Sequence, residues 1–314
     1  MSTASFQEDI ARPKQPPQPV APLPEQLGAA RRFFAGLWKR VRDLIEIITA
    51  SPTAVVGLIM VLFWVFVAVF APLITTYSPL EQDYKAINQP PSAAHILGTD
   101  QLGRDVWSRL AYGARTILTL GPASVLVAFL LGIALGLPSG YYGGAIDETV
   151  MRILDALMAF PTILLYMIII SAVGPSHFNV VIAIAIGGAP GIARLVRALT
   201  MDIRTREYVA AAKLRGDSDF TIMVREILPN CRGPLIVDFL MRIGYAAFYI
   251  GTLGFLGLGL PPPTPDWGGM VQQGHNHMMA NVWPVLSATL AIITLVIGLN
   301  MFADGVREES MRYQ

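Results

Sequence analysis

Few side chains in this chain of 314 residues are of types and at spacings that could do chemistry. His275 and His277 form an H-x-H pair, the commonest beginning of a metal site. The two would share a face on a strand but not on a helix. No neighbouring acid or cysteine completes a set of three or four ligands, since Asp266 lies nine residues before His275 across a Pro/Gly-rich turn. The pair therefore reads as a solvated or partner-contacting loop, and no metal is expected. Ser171 and His177 are the nearest nucleophile–base pair, but six residues separate them, which is not the three or four that brings helical side chains together. Cys231 is the sole cysteine and excludes an internal disulfide. No G-x-x-x-x-G-K-[ST] phosphate loop occurs. No catalytic residue and no cofactor are expected on this chain. Asp238 and Arg242, four residues apart, can pair along one helix face, either as a structural ion pair or as part of a transport pathway.

The elements that must position these residues are apolar. Hydrophobic residues make up 54% of the chain and charged residues only 14%, against roughly 25% charged in soluble domains. Six apolar runs approach the ~20 residues of a helical bilayer crossing, at about 53–74, 116–138, 156–174, 179–197, 235–260 and 284–303. The expected fold class is all-α, a polytopic membrane protein with six transmembrane helices. Residues 1–30, rich in Pro, Gln and Ala, read as a disordered tail. Residues 31–50 read as a basic amphipathic helix at the headgroup layer, and 51–314 as the transmembrane domain. Basic residues cluster in the termini and in the 198–234 loop, so these are expected to be cytoplasmic. No long basic stripe suggests nucleic acid. No acid lies in the middle of a span, which weakens an ion-coupled secondary transporter as the rival class.

The most informative polar stretch is REYVAAAKLRGDSDFTIMVREILPN, Arg206 to Asn230. Glu207 to Arg215 has an acid at the start, three alanines, and Lys213 and Arg215 in its last turn, which suits a helix and its dipole. Gly216 falls where a left-handed residue ends a helix. Asp217 or Ser218 can cap a second helix, which Pro229 is expected to stop. The small residues Ala210 to Ala212 and Gly216 would let this backbone lie close to another protein, so the pair of helices reads as a docking element.

The pattern E-Y-x-x-A-A-x-x-x-G, with a following run that ends in L-P, resembles the "EAA" loop of ABC importer permeases. The resemblance implies a coupling helix that inserts into a groove of an ATPase subunit. The matching positions are Glu207, Tyr208, Ala211, Ala212, Gly216, Leu228 and Pro229, with Arg215 counted among them at the end of the helix. Most relatives carry His before I-L-P, where this chain has Glu226. HILGTDQLGRDVWSRLAYGAR (His95 to Arg115), FLGLGLPPPTPDWG (Phe255 to Gly268) and GLNMFADGVREES (Gly298 to Ser310) resemble segments of the dipeptide/oligopeptide/nickel branch, in particular its second, C-type permease. Membership would imply a homologous second permease, two cytoplasmic ATPase subunits that bind ATP and Mg, an extracytoplasmic substrate-binding protein, and a bacterial inner-membrane location. Dipeptides or oligopeptides would be the first cargo; nickel, opines, cell-wall peptides and oligosaccharides are the alternatives.

Overall fold

The computed structural model describes the backbone of residues 51–312 and side chains through residue 308. The tail at 1–30 and the amphipathic helix expected at 31–50 lie outside the described residues. Nine helices of eight or more residues follow in the described part: α1 Pro52–Ile74, α2 Val106–Tyr142, α3 Gly144–Met158, α4 Thr162–Val173, α5 His177–Ile203, α6 Glu207–Leu214, α7 Arg232–Phe255, α8 Trp267–His275 and α9 Trp283–Arg312. Among the described residues there is no strand, only one isolated bridge between Thr99 and Asp105.

Helix starts are set by local chemistry. Ser51 caps α1 by accepting from the Ala54 amide, with Pro52 at the first helical position. Asp105, Ser176 and Asp266 cap α2, α5 and α8 in the same way. Pro72 lies inside α1 and cannot donate to the carbonyl four residues before it. That carbonyl, of Ala68, instead accepts from Arg115 Nε, and Arg115 Nη2 donates to Val69 at 3.0 Å. An arginine from α2 thus repairs the ladder of α1, as broken helices require where water is excluded.

The core is built on two close helix pairings. Gly132, Gly136 and Gly140 make a small-residue stripe on α2 that presses on α5. A Cβ on Gly136 would sit 2.3 Å from the Ala193 carbonyl oxygen, so the two backbones touch. Gly57 of α1 and Gly298 of α9 do the same, a Cβ on Gly57 falling 2.4 Å from the Phe302 amide nitrogen. Trp267, fully buried, donates to the Leu110 carbonyl at 2.8 Å and packs edge-on against Trp64, which joins α8 to α2 and α1.

Among the described residues, five helical segments are long and apolar enough to cross a membrane, and α3 with α4 makes a sixth candidate only as a bent pair. The third span expected at 156–174 is not straight: α3 and α4 meet at 88° across Ala159 to Pro161. The reason is chemical. Asp147, Glu148, Arg152 and Asp155 on α3 are polar partners for other groups: Asp147 accepts from Arg197 and Ser139, and Asp155 from Arg194. Pro161, with no amide hydrogen, stands at the corner. The 12 residues of α4 reach roughly 18 Å at 1.5 Å each, short of a ~30 Å core. The second span begins earlier than expected, since α2 starts at Val106 and runs 37 residues.

The segment between α1 and α2 packs rather than trails, as its alternating apolar residues suggest. Asp100 is its hub, accepting from the amides of Leu102 and Arg104 and from Arg104 Nε at 2.7 Å. Arg104 reaches on to Gln273 of α8, and Asn281 donates to the Gln89 and Thr99 carbonyls. His95 is a packing residue, its Nδ1 2.9 Å from Asp105 and its ring against Tyr77.

Candidate coupling surface and pathway residues

The stretch from Arg206 to Cys231 forms a helical knuckle. Helix α6 ends in a Schellman motif: the Gly216 amide donates to Lys213 at 3.0 Å and the Asp217 amide to Ala212 at 3.2 Å. Gly216 has φ +81°, the left-handed conformation expected from the sequence, and a side chain there would meet open space. Ser218 supplies the next cap, its hydroxyl accepting from the Thr221 amide.

The second helix does not stop at Pro229. One α turn at Asp219–Thr221 passes into a π-helical stretch, Ile222–Ile227, then a 3-10 turn, Leu228–Cys231, and directly into α7. Wide winding lets the chain absorb the proline. The Leu228 amide donates five residues back to Met223, and the Asn230 side-chain amide donates to the Glu226 carbonyl at 2.6 Å. The helical path is thus held on both sides of Pro229, by bonds to the Met223 and Glu226 carbonyls, and does not end there. The knuckle is therefore continuous with a membrane-crossing helix.

The coupling residues expected from the sequence divide between two faces. Glu207, Tyr208, Ala211, Arg215, Gly216 and Pro229 are exposed. Ala212 is fully buried beneath the knuckle with Val209, Ile222 and Ile227, so its small side chain serves internal packing. Leu228 is half-buried and packs on the same core. Two residues absent from that expectation stand out: Leu214 is 90% and Phe220 70% exposed, both apolar, on either side of Gly216. Their signal in the sequence was apolarity in a polar loop, but only the fold shows that neither turns inward. Arg215 pairs with Asp217 at 2.7 Å and with Glu226 at 3.3 Å. The acid that replaces the usual His thus closes an ion-pair cluster behind the glycine.

The knuckle is tied to α2 as well as to α7. Tyr141 at the end of α2 donates to Asp219 at 2.7 Å, Lys213 lies 5.2 Å from the Tyr141 ring centroid, and Arg204 donates to the Gly140 and Tyr141 carbonyls at 2.9 Å.

Asp238 and Arg242 do pair, with Arg242 Nε 2.6 Å from Asp238 Oδ2 on α7. Arg242 also leans on α5, where Gly191 leaves it room and the Gly188 carbonyl lies 3.4 Å from Nη1. Ser171 and His177 are both exposed, on α4 and at the first turn of α5. His275 closes α8, and His277 lies beyond it with Nδ1 against the Gln273 carbonyl at 3.3 Å.

Comparison with known proteins draws these features together. Residues 128–308 match the family described as binding-protein-dependent transport system inner membrane component. The chain belongs to that family. It is a permease subunit of a binding-protein-dependent transporter and an inner-membrane protein. Residues 37–91 match the N-terminal TM domain of oligopeptide transport permease C. The chain is 39% identical over 298 residues to the dipeptide transport system permease protein DppC of Alkalihalophilus pseudofirmus, covering 95% of this chain and 96% of that one. It is 40% identical to the Haemophilus influenzae protein of the same name, covering 81% and 88%, and 40% identical to the glutathione transport system permease protein GsiD of Pectobacterium atrosepticum, covering 81% and 85%. Its fold is that of the permease in an inward-facing methionine ABC transporter, MetNI, with a TM-score of 0.52 at 19% identity over 64% of this chain and 96% of the other. In this permease family the exposed knuckle is the feature of greatest interest.

Proposed function

We propose that this chain is the permease through which an ATP-driven importer passes dipeptides or oligopeptides into the cytoplasm by alternating access. The names of relatives support the cargo: dipeptide, di/tripeptide and glutathione permeases match at about the same identity. The observation that carries the mechanism is the knuckle. Helix α6, with exposed Tyr208 and Leu214, folds back at Gly216 onto a second helix that carries exposed Phe220, is bonded to α2 through Asp219, and runs through a π-helical turn into α7. A push on α6 would thus reach two spans at once.

In this reading the knuckle and both termini face the cytoplasm, in line with the concentration of basic residues there. One of two ATPase subunits that carry ATP and Mg docks on Leu214 and Phe220, a homologous permease takes the other and completes the pathway, and a substrate-binding protein delivers cargo on the opposite side. The test is uptake by proteoliposomes that hold this chain with those partners, comparing labelled di- and oligopeptides with nickel, with and without ATP. Peptide accumulation that requires ATP is the expected result. Nickel uptake alone would move the cargo elsewhere, and flux without any ATPase would overturn the coupling mechanism.

A further inference from the structure

A cavity of about 240 Å³ opens between α2, α4, α5 and α7. Its walls combine Arg242 with three tyrosines, Tyr166, Tyr245 and Tyr249, in otherwise apolar surroundings. Two of these polar groups are held by their surroundings. Tyr166, only 2% exposed, sits in a seat cut by Gly187, where a Cβ would fall 2.4 Å from the ring. Its ring meets that of Tyr249 edge-on at 5.1 Å. Arg242 is fixed at Nε by Asp238 and seated by Gly191, where a Cβ would lie 3.0 Å from Nη2. The hydroxyl of Tyr166 donates to no described residue, and Arg242 lines the same space, so a neutral donor and a guanidinium held at Nε share an apolar-walled cavity.

From this geometry we infer that the cavity receives the terminal carboxylate of the transported peptide, with Arg242 as its cationic partner and Tyr166 as a neutral donor. The inference rests on the peptide reading above and sharpens it. Guanidinium is a planar fork that suits a carboxylate. Drug-sized ligands occupy about 300–1,000 Å³, so this volume holds one end of a peptide rather than its whole length. Asp238 serves as a positioning residue: it orients the guanidinium by holding Nε at 2.6 Å. The Gly187-Gly188-Ala189-Pro190-Gly191 stretch, which interrupts the apolar run of α5, has its use here, as the seat for two side chains from other helices.

The test uses the complete importer with Tyr245→Cys at the mouth of the cavity, a position 53% exposed. The native Cys231 is fully buried, and thiol labelling is read by mass on this chain. A saturating tripeptide with a free carboxyl end should slow labelling at least about threefold, and its C-terminal amide should not. Arg242→Gln should abolish the difference, Arg242→Lys should retain part of it, and Tyr166→Phe should weaken it. Because Arg242→Gln leaves Asp238 unpaired, the doubly neutral Asp238→Asn/Arg242→Gln variant is measured beside it. Loss of protection in both, with binding-protein-stimulated ATP hydrolysis retained, supports the site. Equal protection by acid and amide, or protection that survives in the doubly neutral variant, overturns it. Peptide uptake by the wild-type importer is recorded in parallel. If uptake is present while protection is absent, this inference alone fails; if uptake is absent, the peptide reading fails and this falls with it.

Discussion

Gly216→Val is the perturbation whose size the structure sets most tightly. Gly216 has φ +81°, and nothing lies within 4 Å of the position a Cβ would take. The substitution therefore creates no clash, and its cost is conformational. An L-residue in the left-handed region costs roughly 1–2 kcal/mol, with β-branched residues at the upper end. The alternative is to move φ to negative values and lose the two Schellman bonds, from Gly216 to Lys213 and from Asp217 to Ala212, at about 0.5–1.5 kcal/mol each. Either route costs about 2 kcal/mol, or about thirtyfold in the population of the native knuckle, since 1.4 kcal/mol is tenfold. That is too little to unfold a helical bundle whose core lies elsewhere. Reconstituted with its partners, the variant should reach the membrane in normal amount, yet show ATP-coupled uptake at least about tenfold below wild type. Gly216→Asn, which tolerates the left-handed region, should stay near wild type, and Gly216→Ala should fall between. Uptake by Gly216→Val within about twofold of wild type would refute the hinge.

Other outcomes follow from the same geometry. Leu214→Asp, at a side chain 90% exposed, should leave folding intact and weaken retention of the ATPase subunits about tenfold or more, as expected when a buried interface leucine is lost; unchanged co-purification would remove Leu214 from the interface. Gly136→Val has the opposite signature. Its Cβ would lie 2.3 Å from the Ala193 carbonyl oxygen, so overpacking should cost about 1–3 kcal/mol and reduce the amount of folded permease, seen by fluorescence-detected size exclusion. Tyr141→Phe, which deletes the 2.7 Å bond to Asp219, should lower uptake per ATP hydrolysed while ATPase binding is unchanged; an unaltered ratio would mean that α2 is not pulled by the knuckle. Burial pushes the Asp266 carboxyl from 3.8 up to about 6. A raised carboxylate destabilises the folded state fully above about pH 6, and that cost is relieved as pH falls from there towards 4. It corresponds to roughly 3 kcal/mol at most. Asp266→Asn keeps an oxygen to cap α8 and should be the more stable protein at pH 7.5, with the gap to wild type narrowing to about a third by pH 4.5 in thermal unfolding of the solubilised protein.

Much was legible in the sequence because it is written in local rules. Apolar runs near the length of a bilayer crossing mark the spans, and an acid, alanines and a basic last turn ahead of Gly216 mark α6 and its left-handed end. The i, i+4 spacing of Asp238 and Arg242 suffices to predict their pair, because helix geometry alone brings them together. The tertiary structure decided the rest. Pro229 reads as a helix stop, yet the chain passes through a π-helical and a 3-10 turn, with Asn230 bonded back to Glu226, and goes on into α7. The corner at Pro161 became visible once Asp147 and Asp155 were seen paired with arginines of α5. Ala212 and Leu214 lie two residues apart on one helix, and only packing beneath the knuckle shows that the first is covered and the second bare. The cavity likewise joins side chains 76 residues apart, Tyr166 and Arg242, through glycines on a third helix. A sequence records what each residue prefers beside its neighbours along the chain. Which groups are left without a partner depends on what folds against them.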